Sequence, residues 1–489
     1  MTRSPSWFSA ARMAPGLALA GLVAGLVVGL AGTLWVAVVS PEVTWVPPAL
    51  ALGTLAAWGL ARAFERPLRH PLTTLGAVFF LAAFSLHRSD GLQPLEIVFA
   101  LYFYPYLAAW YGLRVGVYRE RLVRSGLDAA VGVVMLYPLA SLVLTVLFRG
   151  SLAFAISDLI AFSMFALYFP IREVCERYER GPALIVGALL FIAVVAFVRN
   201  LLTLRATIAA ATAAWEIARV RITSNEMALM VGALFSAGLA AQAKEKLRIG
   251  LFGMSFAALA TGLVLTQWRA YYVSFILALG LLAVLLRRGA RARLLLMVSL
   301  GSVGATALVL LLFGDSVLLV AYGLLDRFLS IGTASTVDVS LLNRFLESRA
   351  VLARIWESPL VGHGVGTAFG FHDVTSGGLW IKPYAHNGYL TLVYKYGVLF
   401  LFAFLFVWVR VTLSAHRASR APTLSRSEQT IAAVVCAALL SLVPSFAVSA
   451  PLTTSDTTFC FTLLLGLGAG LHARATLGAD PERLTRGAP

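Results

Sequence analysis

The chain is 489 residues long, 60% hydrophobic and only 13% charged, which is about half the charge of a soluble domain; with a mean hydropathy of +0.85 this excludes a soluble globular protein and indicates a polytopic membrane protein. The net charge of +16 does not point to nucleic acid, because the Arg and Lys fall in short clusters between apolar spans, the pattern of topology signals facing anionic lipid. Three cysteines, Cys175, Cys436 and Cys460, give neither a disulfide framework nor a metal-ligand spacing.

Apolar runs long enough to span a bilayer fall near 15–39, 44–62, 71–87, 92–112, 127–148, 152–170, 183–204, 225–242, 249–266, 270–286, 295–314, 387–409, 429–448 and 457–473, so about fourteen transmembrane helices are expected. The first run is too long for a signal-peptide core and lacks a small-x-small cleavage site, so it reads as a transmembrane helix. With the N-terminus in the cytoplasm, every alternate loop is basic: Arg62/Arg66/Arg69, Arg114/Arg119/Arg121/Arg124, Arg172/Arg177/Arg180, Lys244/Lys246/Arg248, Arg287/Arg288/Arg291/Arg293 and Arg410/Arg417/Arg420/Arg426, with Arg474, Arg483 and Arg486 in the tail. The outer loops are short and poor in charge except at 205–225, at Gln267-Trp268-Arg269 and from about 315 to 385. No internal repeat or low-complexity segment is visible.

The expected architecture is an all-α polytopic membrane protein with one large, partly helical periplasmic loop. Residues 1–314 form transmembrane helices with short loops, 315–386 the periplasmic loop, and 387–489 the C-terminal transmembrane helices and a short cytoplasmic tail. An Arg-over-Lys, Ala-rich composition fits a GC-rich bacterial genome, hence the inner (cytoplasmic) membrane with both termini inside. In the loop, apolar residues at helical spacing from Asp338 to Glu357 predict a helix with Arg on its other face. The run Pro359-Leu360-Val361-Gly362-His363-Gly364-Val365-Gly366 ends it, and the chain is expected to be irregular from there to Pro383.

The polar features that topology does not explain lie on the outer side. His386 stands in Tyr384-Ala385-His386-Asn387-Gly388-Tyr389, where a polar loop enters an apolar helix. It is either a hydrogen-bonded interfacial His or a general base able to take a proton from a hydroxyl near neutral pH. Arg269, between two apolar runs and beside Trp268, Tyr271 and Tyr272, is either an interfacial anchor or a phosphate ligand, for which a planar guanidinium suits. Arg219 and Arg221 are either a solvated loop or a second clamp on the same anion, and Arg344, Arg349 and Arg354 either a solvated helix face or part of the site. Several outer arginines and one His, with no acid close in sequence, describe a site for an anionic substrate. Among intramembrane acids, Asp158 and Glu96 read as helix–helix hydrogen bonds. The absence of a Walker motif, a metal-ligand cluster or a Gly-x-Ser-x-Gly elbow leaves no cofactor, metal or nucleotide expected.

These segments together resemble the O-antigen ligase and polymerase superfamily, bacterial glycan transferases with a polyprenyl-diphosphate-linked donor. His386-Asn387, nine residues, then Gly397 matches the family's His-Asn-x9-Gly pattern. Arg344 through Ala350-Val351-Leu352 to Ser358-Pro359-Leu360-Val361-Gly362-His363-Gly364-Val365-Gly366 is similar to its helix followed by Pro-Leu-x-Gly-x-Gly. Thr266-x-x-Arg269 is like its Thr-x-Ser-Arg corner, with Trp268 in place of Ser, and Arg219/Arg221 before Asn225 is a weaker fourth match. The resemblance covers about 219 to 400.

It implies an inverting, metal-independent transferase that takes an undecaprenyl-diphosphate-linked glycan. His386 would be the base, Arg269 and one of Arg221 and Arg219 would hold the diphosphate, and Arg344, Asn387, Tyr384 and Tyr389 would belong to the acceptor side and its loop. The acceptor would be lipid A–core for a ligase or a second lipid-linked repeat unit for a polymerase. Phe400, where ligases often carry Gly, points toward a polymerase. The short tail argues against the protein O-glycosylation branch. A transporter or flippase of lipid-linked oligosaccharide is the alternative of another class, expected to show repeats, broken helices and paired charges near mid-membrane; a structural scaffold is the third.

Overall fold

A backbone in hydrocarbon has no water to bond and must satisfy itself, so apolar runs fold as helices. The computed structural model describes residues 71–86, 93–210, 224–313, 339–374 and 376–478. The expected spans at 15–39 and 44–62, the loop segment 315–338, and Arg219 and Arg221 lie outside the described residues. The structure falls into two compact units, one ending at Arg124 and the other running from Ser125. The first contains α1 (Pro71–Ser85) and α2 (Pro94–Tyr111). Glu96 sits in the first turn of α2, where its carboxylate accepts from Gln93 N at 3.1 Å; it caps its own helix, a role the helix–helix expectation did not include.

The second unit holds α3 (Gly126–Ala140), α4 (Leu142–Leu147), α5 (Leu152–Ser163), α6 (Tyr168–Arg177), α7 (Gly181–Ala210), α8 (Glu226–Gln242), α9 (Lys246–Leu265), α10 (Arg269–Leu285) and α11 (Arg288–Phe313). After these come α12 (Val339–Ile355), the strands β1 (Phe369–His372) and β2 (Leu379–Lys382), then α13 (Gly388–Ser419), α14 (Arg426–Val448) and α15 (Ser455–Gly478). Among the described residues, eight helices are long and apolar enough to cross a membrane, and three shorter ones are apolar. The chain is a predominantly helical, multi-pass membrane protein. The centre of the second unit is α8, α14 and α15: nearly every side chain of α8 is buried, and 72% of the apolar windows of α14 and α15 are covered by protein, against 11% for α11. Ala and Gly dominate α8, which lets neighbouring backbones come close where apolar bulk alone gives no preference over lipid.

Two expectations need correction. The helix read as 152–170 continues through a 3-10 turn, Met164–Leu167, into α6, so Arg172 is on a helix and pairs with the buried Asp128 of α3. The stretch after the Gly-rich run is not irregular: β1 and β2 form an antiparallel hairpin pairing Phe369 with Lys382 and Phe371 with Trp380. The signal is the alternation in Phe369-Gly370-Phe371-His372, with the two Phe buried and Gly370 and His372 exposed, and a Gly377-Gly378 turn before β2. The expected loop helix is present as α12. Its Val351 and Ile355 pack with Phe369, Phe371, Ala385 and Tyr394, which seats the hairpin between α12 and the start of α13.

Helix α13 is in two pieces. At Gly397 the backbone turns to φ 80, ψ 171, a conformation open only to glycine. A Cβ there would lie 2.1 Å from the Leu360 carbonyl oxygen. The Pro359–Gly366 run lies in this break: His363 N donates to Tyr394 O at 2.9 Å, Gly364 N to Lys395 O at 2.8 Å, and Val398 N to Pro359 O at 2.9 Å. On its other side the run meets α3 and α4, where Tyr137 donates to Val361 O at 2.9 Å and Thr145 to Val365 O at 2.5 Å. The two most specific motif segments are therefore one packed unit.

Gly397→Ala is expected to lower the melting temperature in detergent sharply, since the backbone alone costs about 1–3 kcal/mol before the clash with Leu360. Gly280→Ala in α10, where an added Cβ meets nothing within 4 Å, is expected to leave it unchanged or slightly raised.

Candidate active site

The N-terminus of α13 is built to hold the residue before it still. Asn387 caps the helix, its Oδ1 accepting from Leu390 N at 3.0 Å. Thr391 Oγ1 accepts from Ala385 N at 3.1 Å and donates to Asn387 O at 2.9 Å. Gly388 N donates to Ser449 O at the end of α14, 2.9 Å away. His386 sits between these fixed points with its side chain 35% exposed.

The partner of His386 is Glu347 on α12. Glu347 Oε2 lies 2.6 Å from His386 Nδ1 and 3.2 Å from His386 N, and Oε1 lies 2.6 Å from Lys382 Nζ on β2. Its side chain is 1% exposed. Beside a carboxylate at this distance Nδ1 carries the proton and donates, which leaves Nε2 of the neutral ring as an acceptor. Lys382 is held in turn, its Nζ 5.1 Å from the ring centres of both Phe371 and Trp380. Burial works to raise the Glu347 carboxyl, but the hydrogen bonds from His386 and Lys382 outweigh it and hold the group below its ordinary value of 4.5. Tyr384 completes the surroundings, its ring 6.4 Å from that of His386.

A buried acid oriented on one nitrogen of a partly exposed ring is an arrangement that suits a general base and its orienting group. Glu347 was not foreseen, because it is 39 residues from His386. The signal lay within the helix: Glu347, Val351 and Ile355 recur at four-residue spacing, which places an acid on the face that packs inward.

Arg269 opens α10 after Gln267, whose φ is 56°. The α14 end brings this helix to His386. Ser445 Oγ donates to Ala270 O at 3.1 Å, and Ser449, one turn on, accepts from Gly388 N. Asn225 opens α8 at the same end, its N donating to Asp456 Oδ2 at 3.1 Å at the start of α15. Arg199 of α7, hidden from sequence inspection inside an apolar span, donates to Ser224 Oγ at 2.8 Å and to Asn225 Oδ1. Arg344 is half-buried one turn before Glu347. Arg349 is exposed, and Arg354 pairs with Glu357 at 2.8 Å. Tyr389 donates its hydroxyl to Val443 O at 3.0 Å, tying α13 to α14.

Below this end, Asp158 of α5 forms an ion pair with Lys395 of α13, and the same carboxylate accepts from Gly366 N at 2.9 Å. Asp158 is thus paired with a buried charge, beyond the helix–helix hydrogen bond expected of it. Among the described residues no group of three His, Cys, Asp or Glu side chains is placed to hold a metal ion. No protein-family model matches the chain, and no curated protein matches it.

The depressed Glu347 carboxyl links stability to pH. A carboxyl lowered on folding stabilises the fold above its unfolded value, and that contribution is lost as pH falls through the folded value. Wild-type stability in detergent is expected to drop on acidification through this range. Glu347→Gln is expected to be less stable at neutral pH and to show a shallower acid dependence, measured by thermal unfolding across pH.

Proposed function

We propose that the protein is an inverting glycosyltransferase of the bacterial inner membrane, multi-pass with about fourteen spans and a periplasmic active site. It moves a glycan from an undecaprenyl-diphosphate donor to an acceptor hydroxyl in surface polysaccharide assembly. The observation that carries this reading is the Glu347–His386 hydrogen bond, which orients the His of the His-Asn-x9-Gly pattern as a proton acceptor. The packing of the Pro-Leu-x-Gly-x-Gly run into the Gly397 break supports it. So does the bridge through α14 that brings Arg269 and His386 to one end of the bundle.

In the proposed reaction the acceptor O–H gives its proton to His386 Nε2 while its oxygen attacks the anomeric carbon. The bond from that carbon to the diphosphate oxygen breaks on the opposite face, so the centre inverts and undecaprenyl diphosphate leaves. Glu347 stabilises the imidazolium that forms. Arg269, with Arg221 or Arg219, neutralises charge on the leaving diphosphate, where it develops in the transition state. Arg344, Asn387, Tyr384 and Tyr389 lie on the acceptor side. The acceptor is a second lipid-linked repeat unit, the polymerase form favoured by Phe400, or lipid A–core.

A transporter of lipid-linked oligosaccharide draws on two observations, the broken α13 and the buried Asp158–Lys395 pair. The break, however, is filled by the chain's own backbone from 359 to 366, where a transporter would keep it for its cargo.

The test uses purified protein, a defined undecaprenyl-diphosphate oligosaccharide, and lipid A–core present or absent. A ladder of longer lipid-linked glycans without lipid A–core identifies a polymerase, and product on lipid A–core a ligase. His386→Ala and Glu347→Gln are expected to lower kcat by roughly 10²–10⁴-fold, and Arg269→Ala to reduce kcat/KM. Full activity in His386→Ala would remove it as the base. No product with either acceptor, while the lipid crosses vesicle membranes, would establish the transporter.

A further inference from the structure

We propose that Asp158 is a positioning residue for the His386 site: its carboxylate closes the root of the loop that carries His386, an inference that rests on the reading of His386 as the base. A single oxygen, Oδ2, accepts both from Lys395 Nζ and from Gly366 N. Gly366 is where the chain leaves the Gly-rich run for the hairpin. Lys395 is where it has returned into the bundle, after passing through β1, β2, Lys382 and His386. The excursion 367–394 therefore begins and ends at one atom of α5.

Two backbone bonds, His363 N to Tyr394 O and Gly364 N to Lys395 O, stitch the same root. Glu347 stands on α12, upstream of the root, and His386 stands within the excursion. The 2.6 Å contact between them holds only while the root stays closed.

The burial of the pair makes the clasp strict. Lys395 is 1% exposed and Asp158 8%, and no other acid is paired with this ammonium among the described residues. Without its counter-charge the Lys395 side chain cannot remain in an apolar interior as an ammonium: it gives up its proton, and with it the bond that closes the root, or it moves toward water. Such a movement draws on the half-helix Gly388–Tyr396, which the Gly397 break separates from the rest of α13. The Tyr394 hydroxyl, donating to Ala368 O at 2.9 Å, carries that movement into the segment leading to β1.

The test reads the His386 Nδ1–H proton by nuclear magnetic resonance in full-length protein labelled in histidine, without substrate, the signal being identified by its loss in His386→Gln. Bonded to a carboxylate at short range it resonates far downfield. Asp158→Asn is expected to abolish or move that signal and to lower kcat about 10²-fold with KM little changed. Lys395→Gln, which cuts the same clasp from its other side and is the variant to use should Asp158→Asn not fold, is expected to shift it in the same sense. Asp128→Asn is the control: it breaks the comparably buried pair with Arg172 and is expected to leave the signal in place.

An unchanged signal in both clasp variants would overturn the proposal. So would an equal loss in Asp128→Asn, which would mark general destabilisation. Because no substrate is present, this outcome is independent of whether wild-type protein transfers a glycan.

Discussion

The Leu360 carbonyl oxygen occupies the space where any side chain on residue 397 would begin. The rest of the site follows from that approach. A helix broken inside a membrane protein exposes backbone donors and acceptors that cost several kcal/mol each if left unmet. The Pro359–Gly366 run has the same difficulty in its second half, being non-helical throughout and buried from Gly362 to Gly366. Each solves the problem of the other through the bonds at His363, Gly364 and Val398. Neither conformation has a reason to persist alone. The glycines at 364 and 366 have positive φ and press against the backbone of Ser141 and Ser151, so the run is held from α13 and from the α3–α5 side together.

Two carboxylates divide the electrostatic work. Asp158 is spent on geometry: it holds one ammonium and one amide, deep in the bundle. Glu347 is buried more completely than Asp158 but faces a ring that is partly open to solvent, and it splits its two oxygens between His386 and Lys382. That division occupies both oxygens of the carboxylate and engages the imidazole through Nδ1.

Run length made the helices legible, because a span in hydrocarbon admits few other structures. The motif spacing made the Gly-rich run and the His386–Gly397 segment legible as places of interest, though nothing in the spacing said that they touch. What stayed hidden depends on partners far apart in the chain. In sequence, Glu347 is one more charge on an amphipathic helix and Lys395 a lone cation in an apolar run; their partners are 39 and 237 residues away. Arg172 reads as a topology signal because a basic cluster in a short connection looks alike whether it faces lipid headgroups or an acid such as Asp128. The hairpin was missed for a different reason: two four-residue strands are too short to stand out beside helices.

The length of α13 has a consequence for how such a site can change over time. At about 1.5 Å per residue its 32 residues would reach about 48 Å as one rod, well beyond the roughly 30 Å hydrocarbon thickness. The part after Gly397 is long enough to cross alone. The nine residues ahead of the break are surplus to anchoring, and they carry the His-Asn cap. Membrane insertion and the aim of the imidazole are thus assigned to separate pieces of one helix. Drift in the head piece can re-aim the imidazole without changing the segment that the insertion machinery must recognise.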